Sequence, residues 1–131
     1  MQKTSATCHN CLQNDSIRNP LTITNTLDSL PEVLIFAINN WIDIDTSLRF
    51  VINTNLNKYI LKGIIYLGDQ HFTSRLIDER GMIWYHDGMT TKSRCIPEIN
   101  ISNLSNIKWL KTIDNIGFEK KEAAVIIYIK I

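Results

Sequence analysis

The chain has 131 residues, 44% of them hydrophobic and 21% charged, with 14 lysines and arginines against 13 aspartates and glutamates. That length accommodates one domain-sized core, and that composition excludes a disordered or fibrous chain. The basic residues are interspersed with acids, so the electrostatic footprint of a nucleic-acid binder is missing. The longest apolar runs, residues 33–38 and 123–129, are each about a third of the roughly 20 residues that a membrane-spanning helix needs.

Three cysteines, few and odd in number, do not make a disulfide scaffold and suit a reducing compartment. Residues 1–10 lack the apolar stretch of a secretory signal, so the expected location is intracellular, in cytoplasm or nucleus. Residues 1–20 are polar and turn-rich, carry Cys8 and Cys11, and close on Pro20. Cys8 and Cys11 have the spacing of half a zinc site, which needs two further ligands. His9 lies inside the pair and Cys95 is remote, so the segment reads as a degenerate finger holding no metal, with a structural zinc on Cys8 and Cys11 as the alternative; no other cofactor is expected.

Residues 21–24 alternate apolar and polar, the pattern of a short strand. Residues 33–38, introduced by Leu30-Pro31-Glu32, are β-branched and aromatic and read as a buried central strand. Residues 47–52 form the next expected strand and 53–57 a turn. A strand over 59–67 is broken by Gly68. Strands over 72–77 and 82–85 follow, joined by Asp78-Glu79-Arg80-Gly81, a composition that turns use. Residues 96–111 suit either a short helix near 104–110 or a loop, and 122–131 is a terminal strand. The expected class is α+β, strand-dominated, with a mostly antiparallel sheet, residues 1–20 forming a separate finger-like segment and 21–131 a β-rich domain.

Two residues on the 72–85 hairpin carry chemistry. His71 stands at the head of one strand and Asp87 at the end of the next, an arrangement that can hold a base and the carboxylate that fixes its tautomer on rigid backbone. Register decides whether they meet. With a four-residue loop, position 72 pairs with 87 and the two side chains face opposite sides. An odd loop or a bulge places His71 opposite Asp87. His86 is next to Asp87 but alternates to the other face, and reads as surface. Trp84 and Tyr85 read as packing residues, and Cys95 as a buried strand thiol rather than a nucleophile, since no helix start presents it.

Several segments in order resemble the C-terminal half of the catalytic domain of the ubiquitin-specific proteases, a family of papain-like cysteine peptidases. They are the CxxC of Cys8 and Cys11, Leu30-Pro31-Glu32-Val33-Leu34-Ile35, Tyr59-Ile60-Leu61-Lys62-Gly63-Ile64-Ile65-Tyr66, His71 with Trp84-Tyr85-His86-Asp87, and Ala123-Ala124-Val125-Ile126-Ile127-Tyr128. The family's Gly-His-Tyr is Gln70-His71-Phe72 here, its "RF" is Asn40-Trp41, and one of its two CxxC pairs is missing. The resemblance implies the palm half of a papain-like fold, thiol-dependent hydrolysis of ubiquitin conjugates, His71 as general base and Asp87 as its orienting carboxylate. It implies ubiquitin or a ubiquitinated protein as partner. The cysteine box falls in the half that the resemblance does not cover, so another chain would have to supply it and the isolated chain is expected to be inactive. The alternatives are a non-catalytic module binding ubiquitin or another protein, and a truncated gene remnant.

Overall fold

The computed structural model describes residues 2–7, 20–25, 30–39, 42–114 and 120–131. The chain divides into two compact units, Met1–Leu30 and Pro31–Ile131. In the first, β1 (Gln2–Thr7) and β2 (Pro20–Asn25) pair antiparallel, from Gln2 opposite Asn25 to Thr7 opposite Pro20. The strand expected at 21–24 is thus present, but its partner is the N-terminal segment, and the boundary between units falls at Leu30/Pro31 rather than after residue 20. Cys8 and Cys11 lie outside the described residues.

The second unit is one eight-stranded sheet. Its strands are β3 (Val33–Ala37), β4 (Ser47–Ile52), β5 (Asn55–Gly68), β6 (His71–Ile77), β7 (Met82–His86), β8 (Ile96–Asn100), β9 (Thr112–Ile113) and β10 (Lys121–Lys130). The main order is β3-β10-β5-β6-β7-β8, with β4 added to β5 and β9 to β10, every pair antiparallel. The strand-dominated antiparallel class is as expected. Among the described residues its helical part is two 3₁₀ turns, Ile101–Asn103 and Ile107–Lys111, where the sequence left helix or loop open. The expected central strand at 33–38 is instead the edge strand β3. An unbroken apolar run does not distinguish an edge from a centre: here Leu34 is buried while Val33 and Ile35 are 45% and 65% exposed.

One face of the sheet carries the core. Leu34, Leu61, Ile64, Ile83, Ile126 and three tyrosines are buried on it, with Ile44 and Leu110 from the connecting segments and Ile113 from β9 also buried. Each tyrosine hydroxyl donates to a carbonyl of a connecting segment: Tyr59 to Pro31 (2.6 Å), Tyr66 to Leu110 (2.7 Å) and Tyr128 to Asp45 (2.6 Å). Burial pushes Tyr66 up to about 12 against the opposing influence of the Arg75 guanidinium, and burial with the nearby Asp45 charge pushes Tyr128 up to about 12. Both therefore remain protonated donors. Arg75 is the polar counterpart. Only 3% exposed, it pairs with Glu98 (Nε to Oε2, 2.7 Å), donates to the Trp109 and Thr112 carbonyls (both 3.1 Å), and lies 3.5 Å from the Trp109 ring centroid. Every side of the buried cation is answered, so the 3₁₀ segment is tied to the sheet by charge as well as by packing.

Two consequences are measurable. Arg75→Ala leaves the Glu98 carboxylate unpaired and two carbonyls without donors, and is expected to lower unfolding free energy by about 3 kcal/mol in urea titrations. Thr54, in the turn joining β4 to β5, is β-branched at φ +68°. Thr54→Gly removes that strain against a smaller entropic loss, and a net gain of roughly 0.5 kcal/mol is expected as a raised melting temperature.

Candidate active site

The site is built on the β6–β7 hairpin. β6 starts at His71 because the two residues before it, Asp69 and Gln70, both take positive φ (54° and 53°), closing a two-residue hairpin on the pair Gly68–His71. Position 68 must be glycine: a Cβ there would stand 2.9 Å from the Lys120 carbonyl oxygen.

Register comes from the other end of β6. Ile77 pairs with Ile83, Leu76 with Trp84, Arg75 with Tyr85 and Ser74 with His86, so the loop between paired residues runs from 78 to 82, an odd count of five. Asp78 sets that length. Its amide donates to the Met82 carbonyl (3.0 Å), its Oδ1 accepts from the amides of Arg80 and Met82 (both 2.9 Å), and its Oδ2 accepts from the Trp84 indole (3.0 Å). These bonds, the indole's foremost, hold its carboxyl below the usual range. Gly81 supplies the positive φ (82°).

Continuing the pairing past Ser74–His86 sets Thr73 across from Asp87 and leaves His71 two residues further along the same face. His71 and Asp87 are therefore diagonal neighbours, not directly opposite as an odd loop had suggested; the loop is two residues longer than direct opposition requires. The two side chains span the diagonal, and His71 Nε2 lies 2.7 Å from Asp87 Oδ1.

The carboxylate is also fixed by its own turn. Asp87 Oδ1 accepts from the Met89 amide (2.9 Å), its backbone N–H donates to the Thr91 hydroxyl (3.1 Å), and its carbonyl accepts from the Thr91 amide (2.8 Å) and hydroxyl (2.9 Å). The Tyr85 hydroxyl approaches Oδ2 at 3.4 Å. Burial raises the Asp87 pKa, but the bonds from His71, the Met89 amide and the Thr90 side chain, with the His71 charge, outweigh it and hold the group at about 2. A carboxylate can only accept, so the proton between the pair sits on Nε2. In the neutral ring, Nδ1 then carries the lone pair. Nδ1 has no hydrogen-bond partner among the described residues, and the His71 side chain is 26% exposed. His71 and Thr73 also line an open notch with Phe72, Ser74 and His86, which the register places on the other face of the sheet, and with Gly88 and Met89. The arrangement can accept a proton at Nδ1 and hold the resulting imidazolium against a permanent negative charge.

The other sequence-derived candidates separate from this pair. His86 Nε2 donates to the Lys92 carbonyl (2.8 Å), and the register turns its ring to the opposite face. Trp84 closes the Asp78 turn, whereas Tyr85, expected only to pack, brings its hydroxyl to Asp87. Cys95 is exposed rather than buried. It stands just before β8, which pairs with β7 and not with β6, the strand that carries His71. The Met89 amide, Thr90 and Thr91 were not singled out in the sequence, although an aspartate followed by glycine and two threonines is a composition that forms such a turn.

Among the described residues no three histidines, cysteines or acids gather to hold a metal ion, and no helix is long and apolar enough to cross a membrane. No family model matches this chain, and no curated protein or solved structure matches it significantly.

Asp87 is charged in the native state down to about pH 2 and, unfolded, only down to its ordinary 3.8. The stability this difference supplies is complete above the ordinary value and is lost as pH falls through the folded one. Urea midpoints measured through this acid range should fall less steeply in Asp87→Asn than in the wild type. Equal slopes would mean that the carboxylate is not held ionised by its partners.

Proposed function

We propose that residues 31–131 are the base-bearing palm half of a cysteine-type deubiquitinating peptidase resembling the ubiquitin-specific proteases, with His71 as general base and Asp87 as the group that orients it. The observation that carries this reading is the 2.7 Å contact from His71 Nε2 to an ionised, turn-anchored Asp87, which leaves Nδ1 without a hydrogen-bond partner among the described residues.

In this reading Nδ1 takes the proton of a cysteine thiol, and the thiolate attacks the carbonyl carbon of the scissile amide. The imidazolium then protonates the leaving amine as the C–N bond breaks, forming a thioester. In the second half-reaction Nδ1 takes a proton from water as it attacks the thioester, and the proton returns to the departing thiolate. Asp87 keeps its negative charge throughout and stabilises the imidazolium formed in each half. In this reading the thiol comes from the cysteine-bearing half of the fold, which the resemblance does not cover and another chain supplies.

A second reading is a non-catalytic module that binds ubiquitin through the same surface. It is favoured by one observation: among the described residues no thiol faces Nδ1.

Two measurements on one set of proteins separate the readings. Ubiquitin added to the labelled chain should shift resonances of His71, Phe72 and Met89, and ubiquitin stripped of its C-terminal tail should not. The chain fused behind the cysteine-bearing half of a ubiquitin-specific protease should cleave a fluorogenic ubiquitin amide, and His71→Gln should lower that rate by about 10²-fold or more. Binding without cleavage selects the module. Neither binding nor cleavage removes the ubiquitin assignment altogether.

A further inference from the structure

We infer that β3 is a pairing edge for a second copy of this chain, the two sheets joining antiparallel across a two-fold axis at Ile35. The hydrogen-bond pattern of the edge points to this. Ile38 donates to the Ala124 carbonyl (2.9 Å) and Glu32 accepts from the Lys130 amide (2.8 Å), so the even-numbered residues of this stretch exchange their backbone bonds with β10. The alternation of an antiparallel ladder then turns the N–H and C=O groups of Val33, Ile35 and Ala37 away from the sheet. None of these groups has a hydrogen-bond partner among the described residues.

Sheets ordinarily protect such an edge with a charge, a proline or a bulge. The opposite edge does so, with Pro97 and Glu98 in β8. Between Val33 and Ala37 β3 has none of these: its sequence is Val-Leu-Ile-Phe-Ala, paired with β10 without a register break, and Pro31 and Glu32 stand only at its start. Its outward residues also present apolar side chains to solvent on the uncovered face, Ile35 at 65% exposure.

Symmetry selects a second copy as the occupant. The free groups are centred on Ile35, so an identical strand turned by 180° sets Ile35 against its own counterpart and Val33 against Ala37 on either side. The result is two bonds for each of three residue pairs. The same register puts Glu32 opposite Ile38 of the other copy rather than opposite its own counterpart, so no like charges meet across the axis. The apolar side chains of the two edges come side by side on one continuous face, which adds burial to the ladder.

The test uses the full chain. Sedimentation equilibrium up to millimolar concentration should show a reversible monomer–dimer equilibrium. Amide exchange at Val33, Ile35 and Ala37 should slow as concentration rises, while that at Leu34 and Phe36 stays constant. Ile35→Pro removes an N–H that β10 does not use, and should weaken dimerisation at least about tenfold. Ile35→Lys keeps the backbone donor, sets two ammonium groups together at the axis, and should do the same with an unchanged melting temperature; it decides the matter if the proline variant misfolds. A wild-type chain that stays monomeric, a dimer unaffected by Ile35→Lys, or open-ended polymers in place of a closed dimer would each overturn the inference.

Discussion

The candidate site depends on the length of one loop. Side chains alternate along a strand, so moving the β6–β7 register by a single residue would send His71 and Asp87 to opposite faces of the sheet. Asp78 prevents that slip by holding the loop at five residues with three side-chain bonds, two to amides within the loop and one to the Trp84 indole on β7. The indole bond couples loop and strand: a loop of another length would carry Trp84 out of reach of Oδ2. A carboxylate at the far end of the hairpin from the site thus decides which face the site residues share.

What the loop aligns, the remainder of the unit makes rigid. A sheet with one face uncovered needs its other face tied down, and the three tyrosine hydroxyls and Arg75 do this at points spread over β5, β6 and β10. These bonds are longer in reach than packing contacts and direction-specific, so they fix where the connecting segments lie as well as excluding water beneath them. Arg75 is four residues from His71 on the same strand and face, and its anchorage limits how far that strand can shift. The price is a buried cation whose every partner must stay in place.

Much of this was legible in the sequence, unevenly. Strands 47–52, 72–77, 82–85 and 122–131 were visible because their β-branched and aromatic runs are bounded by turn residues, and their observed limits differ by a residue or so. Burial of β3 was misread, since a short apolar run looks the same whether one side or both sides of the strand have neighbours. The two hairpins that turn through Asn53-Thr54 and Asp69-Gln70 use positive φ without glycine, so nothing in composition announced their length. His71 and Asp87 could be named from their places at strand ends, but not their geometry. Loop parity is a count of one, and it hung on Asp78 reaching Trp84, a contact between residues six apart that no local pattern specifies.

Asp87 belongs to two structures at once, and that is what distinguishes the pair from a histidine that happens to meet an acid. As the first residue of a tight turn its carboxylate is already committed to the Met89 amide through Oδ1, the same oxygen that receives His71. An exposed carboxylate on a free rotor would lose entropy each time it captured the ring. Here the turn has already fixed the rotor, and the hydrogen bonds keep the group ionised. The imidazole is therefore held in one tautomer by the hairpin and its turn alone. A turn cap on its own gives no reason for a histidine to be there, and a lone histidine gives no reason for the turn. Their union on one oxygen produces a preorganised proton acceptor, which a nucleophile brought to Nδ1 could use without any rearrangement of the hairpin.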